Sequence, residues 1–132
     1  RVDAIETTET PEALTVSARH DGYTRLPDGP RHSRRWTLTE TGLRVHDRLD
    51  PATPGEARFH LPPGVSAEIS TADVEPTGLL HLPSGRRLRW RAHEATARID
   101  ANTWHPRFGE SQPCTCLALT FTGDTTFELD WT

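Results

Sequence analysis

Along this chain apolar and polar residues alternate in short runs, and each run ends at Pro, Gly, Asp or Asn. A period of two, broken at close intervals by turn residues, marks strands of a sandwich or barrel, and helical apolar spacing is sustained nowhere. Leu14–Arg19, Arg35–Thr39, Leu43–Leu49, Glu56–Leu61, Val65–Ile69, Leu79–Leu82, Arg86–Arg91, Ala95–Ile99, Thr115–Phe121 and Thr125–Trp131 are the predicted strands. Thr39-Glu40-Thr41-Gly42 reads as a hairpin turn, Pro62-Pro63-Gly64 as a strand corner and Gly123-Asp124 as the closing turn. In the Leu43 strand, Leu43, Val45, Asp47 and Leu49 share one face and Arg44, His46 and Arg48 the other, so Asp47 is a single acid on an apolar face. Arg87-Leu88-Arg89-Trp90-Arg91 alternates strictly, with Leu88 and Trp90 inward and the arginines outward. Leu117, Leu119 and Phe121 face one side of their strand, and Cys116, Ala118 and Thr120 the other. Thr103–Pro113, rich in Pro, Gly, Ser and Gln, reads as a long loop, and the folded unit as continuous from about residue 12. About ten to twelve short strands exceed what one open sheet of this length holds, so the expected fold is all-β, a two-sheet antiparallel β-sandwich.

The length of 132 residues suits one domain, taken as 1–132. The chain opens at Arg1 and contains no Met, and it is read as either a processed product or, the favoured reading, an excised piece of a longer polypeptide. All 15 basic residues are Arg, a bias that suggests GC-rich bacterial coding. The formal charge of −4, with both signs interspersed, argues against a nucleic-acid footprint or an anionic membrane surface, so neither is expected as a partner. Apolar runs are too short for a membrane-spanning helix or a signal core. Cys114 and Cys116 are too poorly placed to bridge and too few to build a metal site, and they read as free thiols.

Several segments then occur in a telling order. They are His20-Asp21-Gly22-Tyr23, Arg25-Leu26, His32 with Arg34-Arg35, Leu43-Arg44-Val45-His46-Asp47-Arg48-Leu49, Phe59-His60-Leu61-Pro62-Pro63-Gly64-Val65, Trp104-His105-Pro106-Arg107-Phe108-Gly109, and Pro113. Over nearly the whole chain this resembles the C-terminal sheet region of heparinase II/III-like proteins. The resemblance implies a two-part polysaccharide lyase in which a helical toroid precedes a β-sandwich and an anionic, uronate-containing polysaccharide such as a glycosaminoglycan binds between them. Such enzymes act by β-elimination: the uronate carboxylate is neutralised, a base removes the C5 proton, and an acid protonates the departing oxygen at C4. In the family the catalytic Tyr and the carboxylate-binding Asn or Arg lie on the helical part, and a His-Asn-Thr motif opens the sheet part. This chain has neither, so alone it is expected to be non-catalytic, a scaffold and cleft wall whose partners are the missing N-terminal helical toroid and the polysaccharide. The family also implies the periplasm or the cell exterior. No cofactor is expected in the chain itself. Zinc in the parent protein is the one the resemblance allows, with His32 compared to a family ligand.

Each candidate has a plainer reading. Tyr23, beside His20, could act as a base, yet a lone tyrosine at a strand end more often packs with its hydroxyl bonded. His32 with His20 and Asp47 could make a zinc site, although no close spacing enforces it. His60, between Phe59 and Leu61, is exposed or internally satisfied. Arg87 and Arg89, with Arg86 and Arg91 nearby, could hold uronate carboxylates through bidentate contacts, or form a solvated face paired to Glu94, Asp100 and others. Trp36 and Trp90 read as core, which leaves Trp104 as the candidate for stacking on sugar. The substrate-binding candidates are thus Arg87, Arg89 and Trp104. The rival function is a non-catalytic carbohydrate- or protein-binding module. An exposed aromatic platform would favour the module, and a bare apolar patch would favour a piece of a larger enzyme.

Overall fold

The computed structural model describes residues 2–20, 29–70, 74–104, 108–109 and 112–131, with the backbone alone at 2–4, 20, 102–104 and 112. The alternation becomes strands throughout: β1 (Val2–Glu9), β2 (Ala13–His20), β3 (Arg31–Thr39), β4 (Gly42–Asp50), β5 (Pro54–His60), β6 (Ser66–Ser70), β7 (Thr77–His81), β8 (Arg87–His93), β9 (Thr96–Trp104), β10 (Gln112–Thr122) and β11 (Asp124–Asp130). Every pairing is antiparallel, in an eight-stranded sheet ordered β1-β2-β3-β4-β11-β8-β7-β6 and a three-stranded sheet ordered β5-β10-β9. The expected all-β sandwich is therefore the observed fold, with very unequal layers.

Where the strands depart from the sequence pattern, burial gives the reason. β1 was not expected, because Val2–Glu9 shows no clean alternation, yet it pairs with β2 from Ala4↔Arg19 to Glu9↔Leu14. It is the edge of the large sheet, and its described side chains from Ile5 onward are exposed, so no buried face sorts them. β3 starts at Arg31 rather than Arg35, since His32 and Arg34 carry polar atoms onto the inner face and hide the period. The long loop is shorter than expected: Thr103↔Pro113 and Trp104↔Gln112 continue the β9–β10 ladder. Pro113 is tolerated because the ladder from β10 to β5 begins only at Cys116, so at Pro113 the strand has β9 as its one partner.

The core lies between the small sheet and one part of the large one. Val45 and Leu49 from β4, Phe127 from β11, Trp90 and Ala92 from β8, and Leu80 from β7 meet Ala57 from β5 and Leu117, Leu119 and Phe121 from β10. No described residue of β1 or β2 belongs to this cluster, and from β3 only the half-buried Trp36 packs against it. The outward side of β10 is buried as well, at Cys116 and Ala118. These small side chains lie under a lattice of ion pairs in which Arg58 Nη1 bonds Glu56 Oε1 at 2.6 Å, Arg98 Nη2 bonds Glu56 Oε2 at 2.7 Å and Arg98 Nε bonds Asp100 Oδ2 at 3.1 Å. Burial pushes the Cys116 thiol above its ordinary pKa, and both cysteines are free.

Gly78 shows how tightly β6, β7 and β8 pack. A Cβ there would stand 1.8 Å from the Glu68 carbonyl oxygen and 2.7 Å from Trp90 Nε1. The missing side chain lets the Trp90 indole lie over the strand and donate to Glu68 O at 3.2 Å. Gly78→Ala should therefore destabilise the fold by about 1–3 kcal/mol, the usual cost of overpacking. Urea unfolding would show it as a lowered midpoint, and an unchanged midpoint would mean that Trp90 does not occupy that space.

Candidate functional site

The acid on the apolar face organises the site. Asp47 is only 1% exposed, and its charge is met from the neighbouring strand. The β3–β4 hairpin sets Leu38 opposite Leu43, which places Arg34 opposite Asp47 and His32 opposite Leu49. Arg34 grips the carboxylate with both arms of its fork, Nε to Oδ1 at 2.6 Å and Nη2 to Oδ2 at 2.9 Å. His32 donates from Nε2 to Oδ1 at 2.8 Å, so the ring is oriented by the same group. Burial acts to raise the Asp47 pKa, but the hydrogen bonds from His32 and Arg34 and their positive charge outweigh it and hold the carboxyl below its ordinary value.

Arg34 is held on its other side by rings. Its Cζ lies 5.8 Å from the Trp36 ring centroid and 5.5 Å from that of Phe59. Phe59 stacks on Phe127 at 4.5 Å, and Phe127 lies 6.1 Å from Trp90. One column of groups thus runs from the ion pair into the centre of the sandwich. Beside it a cleft of about 340 Å³ opens between the inner face of the large sheet and β5, lined by His32, Arg34, Asp47 and Leu49 on one side and by Thr53, Gly55, Glu56 and Ala57 on the other. With the His32 ring and the Arg34 guanidinium beside a fully matched carboxylate, and Glu56 across from them, this cleft can hold a polar group against an apolar wall.

The candidates are scattered across the molecule. His32 is in the cleft, and His20 is its register partner on β2, although the His20 side chain lies outside the described residues, as does all of Tyr23. Among the described residues Arg34 holds both Asp47 oxygens, His32 shares one, and no group of three His, Cys, Asp or Glu side chains converges, while the His20 side chain that the zinc reading also needs lies outside them. Arg87 and Arg89 are exposed on β8, facing away from the small sheet, and the partner of Arg89 is Asp130 at 3.7 Å rather than Glu94 or Asp100. Trp104 belongs to the other sheet, at the end of β9 instead of in a loop, and its side chain lies outside the described residues. His60 is exposed on β5, and Trp90 is core as expected. The residue missed from sequence is Arg34. The turn at 39–42 was a sufficient signal for it, since counting back from that hairpin pairs position 34 with the unexplained acid at 47.

Asp47→Asn keeps the shape but leaves Arg34 without its counter-charge, and should cost about 3–5 kcal/mol of stability, the range for breaking a buried pair. The folded pKa is depressed, so the stabilisation by Asp47 is complete above its ordinary value of 3.8 and is lost as the pH falls through the folded value. Urea midpoints measured from neutral to acid pH should converge for the parent and Asp47→Asn proteins, and parallel curves would refute the linkage.

Among solved structures the fold is similar to that of a heparinase III, with a TM-score of 0.71 and 10% identity over 98% of this chain and 21% of that one. It is also similar to heparan sulfate lyase HepC from Pedobacter heparinus, with a TM-score of 0.75 and 9% identity over 98% of this chain and 21% of that one. Identities this low speak to the fold alone, and the chain spans about a fifth of the length of those proteins. No curated protein sequence matches significantly. The model of the heparinase II/III-like C-terminal family matches residues 1–132, and the chain belongs to that family.

Proposed function

We propose that this chain is the C-terminal β-sandwich of a polysaccharide lyase, in which it carries the helical domain and walls one side of the substrate cleft. One observation carries the reading: the inner face of the large sheet continues past the small sheet, and among the described residues it stays bare. On β1, β2 and β3 it presents Ile5 at 67% exposure, Leu14 at 36% and Leu38 at 43%, together with half-buried Val16 and Trp36. An exposed apolar cluster of this kind, edged by Thr7 and Glu9 on the same face, marks a contact surface. The occupant we assign is the rest of the parent polypeptide, since the similar solved proteins continue well beyond the region that this chain matches. A sugar-binding module would instead display a platform of rings, and among the described residues Phe108 is the one strongly exposed aromatic side chain.

The reaction we assign to the parent protein is β-elimination on a uronate-containing glycan, with heparan sulfate, named for one similar structure, as the substrate to try first. Base and acid come from the helical part, and this chain contributes position. The His32–Arg34 cleft opens beside the bare face, so a domain docked there would bring its own surface to the rim and close a polar groove between the two. The compartment that suits a polymeric substrate is the periplasm or the cell exterior.

The test uses the complete natural polypeptide, assayed by the ultraviolet absorbance of the unsaturated uronate product. Ile5→Glu with Leu38→Glu should lower its thermal midpoint and cut elimination, since each buried apolar side chain contributes about 1.5–3 kcal/mol. Substitutions at an uncovered surface stay within about 0.5 kcal/mol. An unchanged midpoint and rate would remove the docking role, and absence of product from the unaltered protein on every uronate polymer would remove the lyase reading.

A further inference from the structure

We propose that the outer face of β2, β3 and β4 is a binding site for a tetrahedral oxyanion, sulfate or phosphate, either free or carried as an ester on a polymer. The site is distinct from the His32 cleft, which lies on the opposite face of the same sheet, and it does not rest on the elimination reading.

The register builds it. One cross-strand row reads Arg19, Ser33, Arg48, and the next reads Ser17, Arg35, His46. Each row sets a short serine beside long cationic side chains, so the serines form a floor and the guanidinium groups a rim. The result is a depression of about 410 Å³ lined by Glu6, Ser17, Arg19, Ser33, Arg35, His46 and Arg48. Arg35 and Arg48 are diagonal neighbours across β3 and β4, about 7–8 Å apart at the usual sheet spacing, close enough for both to reach one anion.

The rest of this face is balanced differently. Arg44 is paired with Glu128 at 3.1 Å and Arg89 with Asp130 at 3.7 Å. By contrast Arg35 donates from Nε to the Ser17 hydroxyl at 3.3 Å, and neither Arg35 nor Arg48 has an ion-pair partner among the described residues. Two carboxylates stand near the rim, Asp124 opposite Arg48 in the ladder and bonded to His46 at 3.4 Å, and Glu6 opposite Ser17 on the edge strand, and neither forms an ion pair with Arg35 or Arg48. Like charges set side by side on a sheet are unfavourable. A bound oxyanion would relieve that repulsion while accepting charge-assisted bonds from the guanidinium groups and neutral ones from the serine hydroxyls. Donors arriving from several sides suit a tetrahedral group better than a planar carboxylate, which one bidentate arginine satisfies.

Calorimetric titration of the complete natural polypeptide tests this, first with inorganic sulfate, then with inorganic phosphate, and then with a sulfated oligosaccharide and its desulfated counterpart. Arg35→Ala and Arg48→Ala should each weaken sulfate binding about tenfold or more, as expected for loss of a charged hydrogen bond. Their thermal midpoints should stay within the small range of surface substitutions. A sulfated oligosaccharide that binds more tightly than the free ion and competes with it identifies the source as polymer, and equal affinity identifies the free ion. Failure of the unaltered protein to bind sulfate or phosphate, or equal binding by the Arg35→Ala/Arg48→Ala double variant, would overturn the proposal.

Discussion

The structure turns on one buried negative charge. A carboxylate removed from water costs several kcal/mol unless it is matched, and Asp47 meets that constraint with a two-armed arginine and a histidine from a single neighbouring strand. The match fixes the β3–β4 register more firmly than apolar contacts could, because a slip by one residue would leave the acid facing nothing. It also draws Arg34 inward, where the guanidinium plane lies near Phe59 and so touches the edge strand of the small sheet. The two sheets are therefore joined by an electrostatic contact at the point where their apolar overlap ends.

That end point explains the shape of the molecule. Three strands cannot cover eight, and the small sheet is spent on β4, β11, β8, β7 and β6, which supply the core from the large sheet. Beyond the Asp47 cluster the inner face passes from buried Val45 and Leu49 to half-buried Trp36 and then to exposed Leu38 and Ile5. The polar cluster acts as a border: on one side the sandwich is closed, on the other the same sheet is open to a partner. A cleft at such a border borrows one wall from each side, and for this reason His32 and Arg34 are half-exposed while Asp47 is not.

What could be read from the sequence follows from where burial sorts the residues. Strands with one covered face were legible in place, and β4 and β8 to within a residue or two: Leu43–Leu49 lies within β4, and the arginines of β8 point outward with Leu88 and Trp90 turned in, whereas β9 and β10 run three to five residues past their expected ends and into the expected loop. β1 left no pattern because its described side chains, from Ile5 onward, are exposed on both faces, and the start of β3 was hidden because its inward residues are His32 and Arg34 instead of valines. The site was half legible. His32 and Asp47 stood out singly, whereas Arg34 needed the register, which is a long-range property that only the hairpin turn reveals locally. Arg87, Arg89 and Trp104 were grouped by chemistry without knowledge of which sheet each belongs to, and the fold separates them.

The outer face of the large sheet obeys a related logic of charge. β11 runs near its middle and carries Asp124, Glu128 and Asp130 outward, each reaching a basic side chain on a neighbouring strand: His46, then Arg44 and His93, then Arg89. Glu128 sits under two of them, and its hydrogen bond from His93, joined by one from His93 to Glu75 at 3.0 Å, holds the imidazole above its ordinary pKa. Ion pairs at a surface fall off within about a Debye length, roughly 8 Å at physiological salt, so this acidic strand neutralises its neighbours and little else. β3 lies one strand farther out, and β2 farther still, with serines where carboxylates would be needed to continue the pattern. The chain as a whole is acidic, yet the balance that a ligand meets is set strand by strand, and it turns positive where the reach of β11 stops.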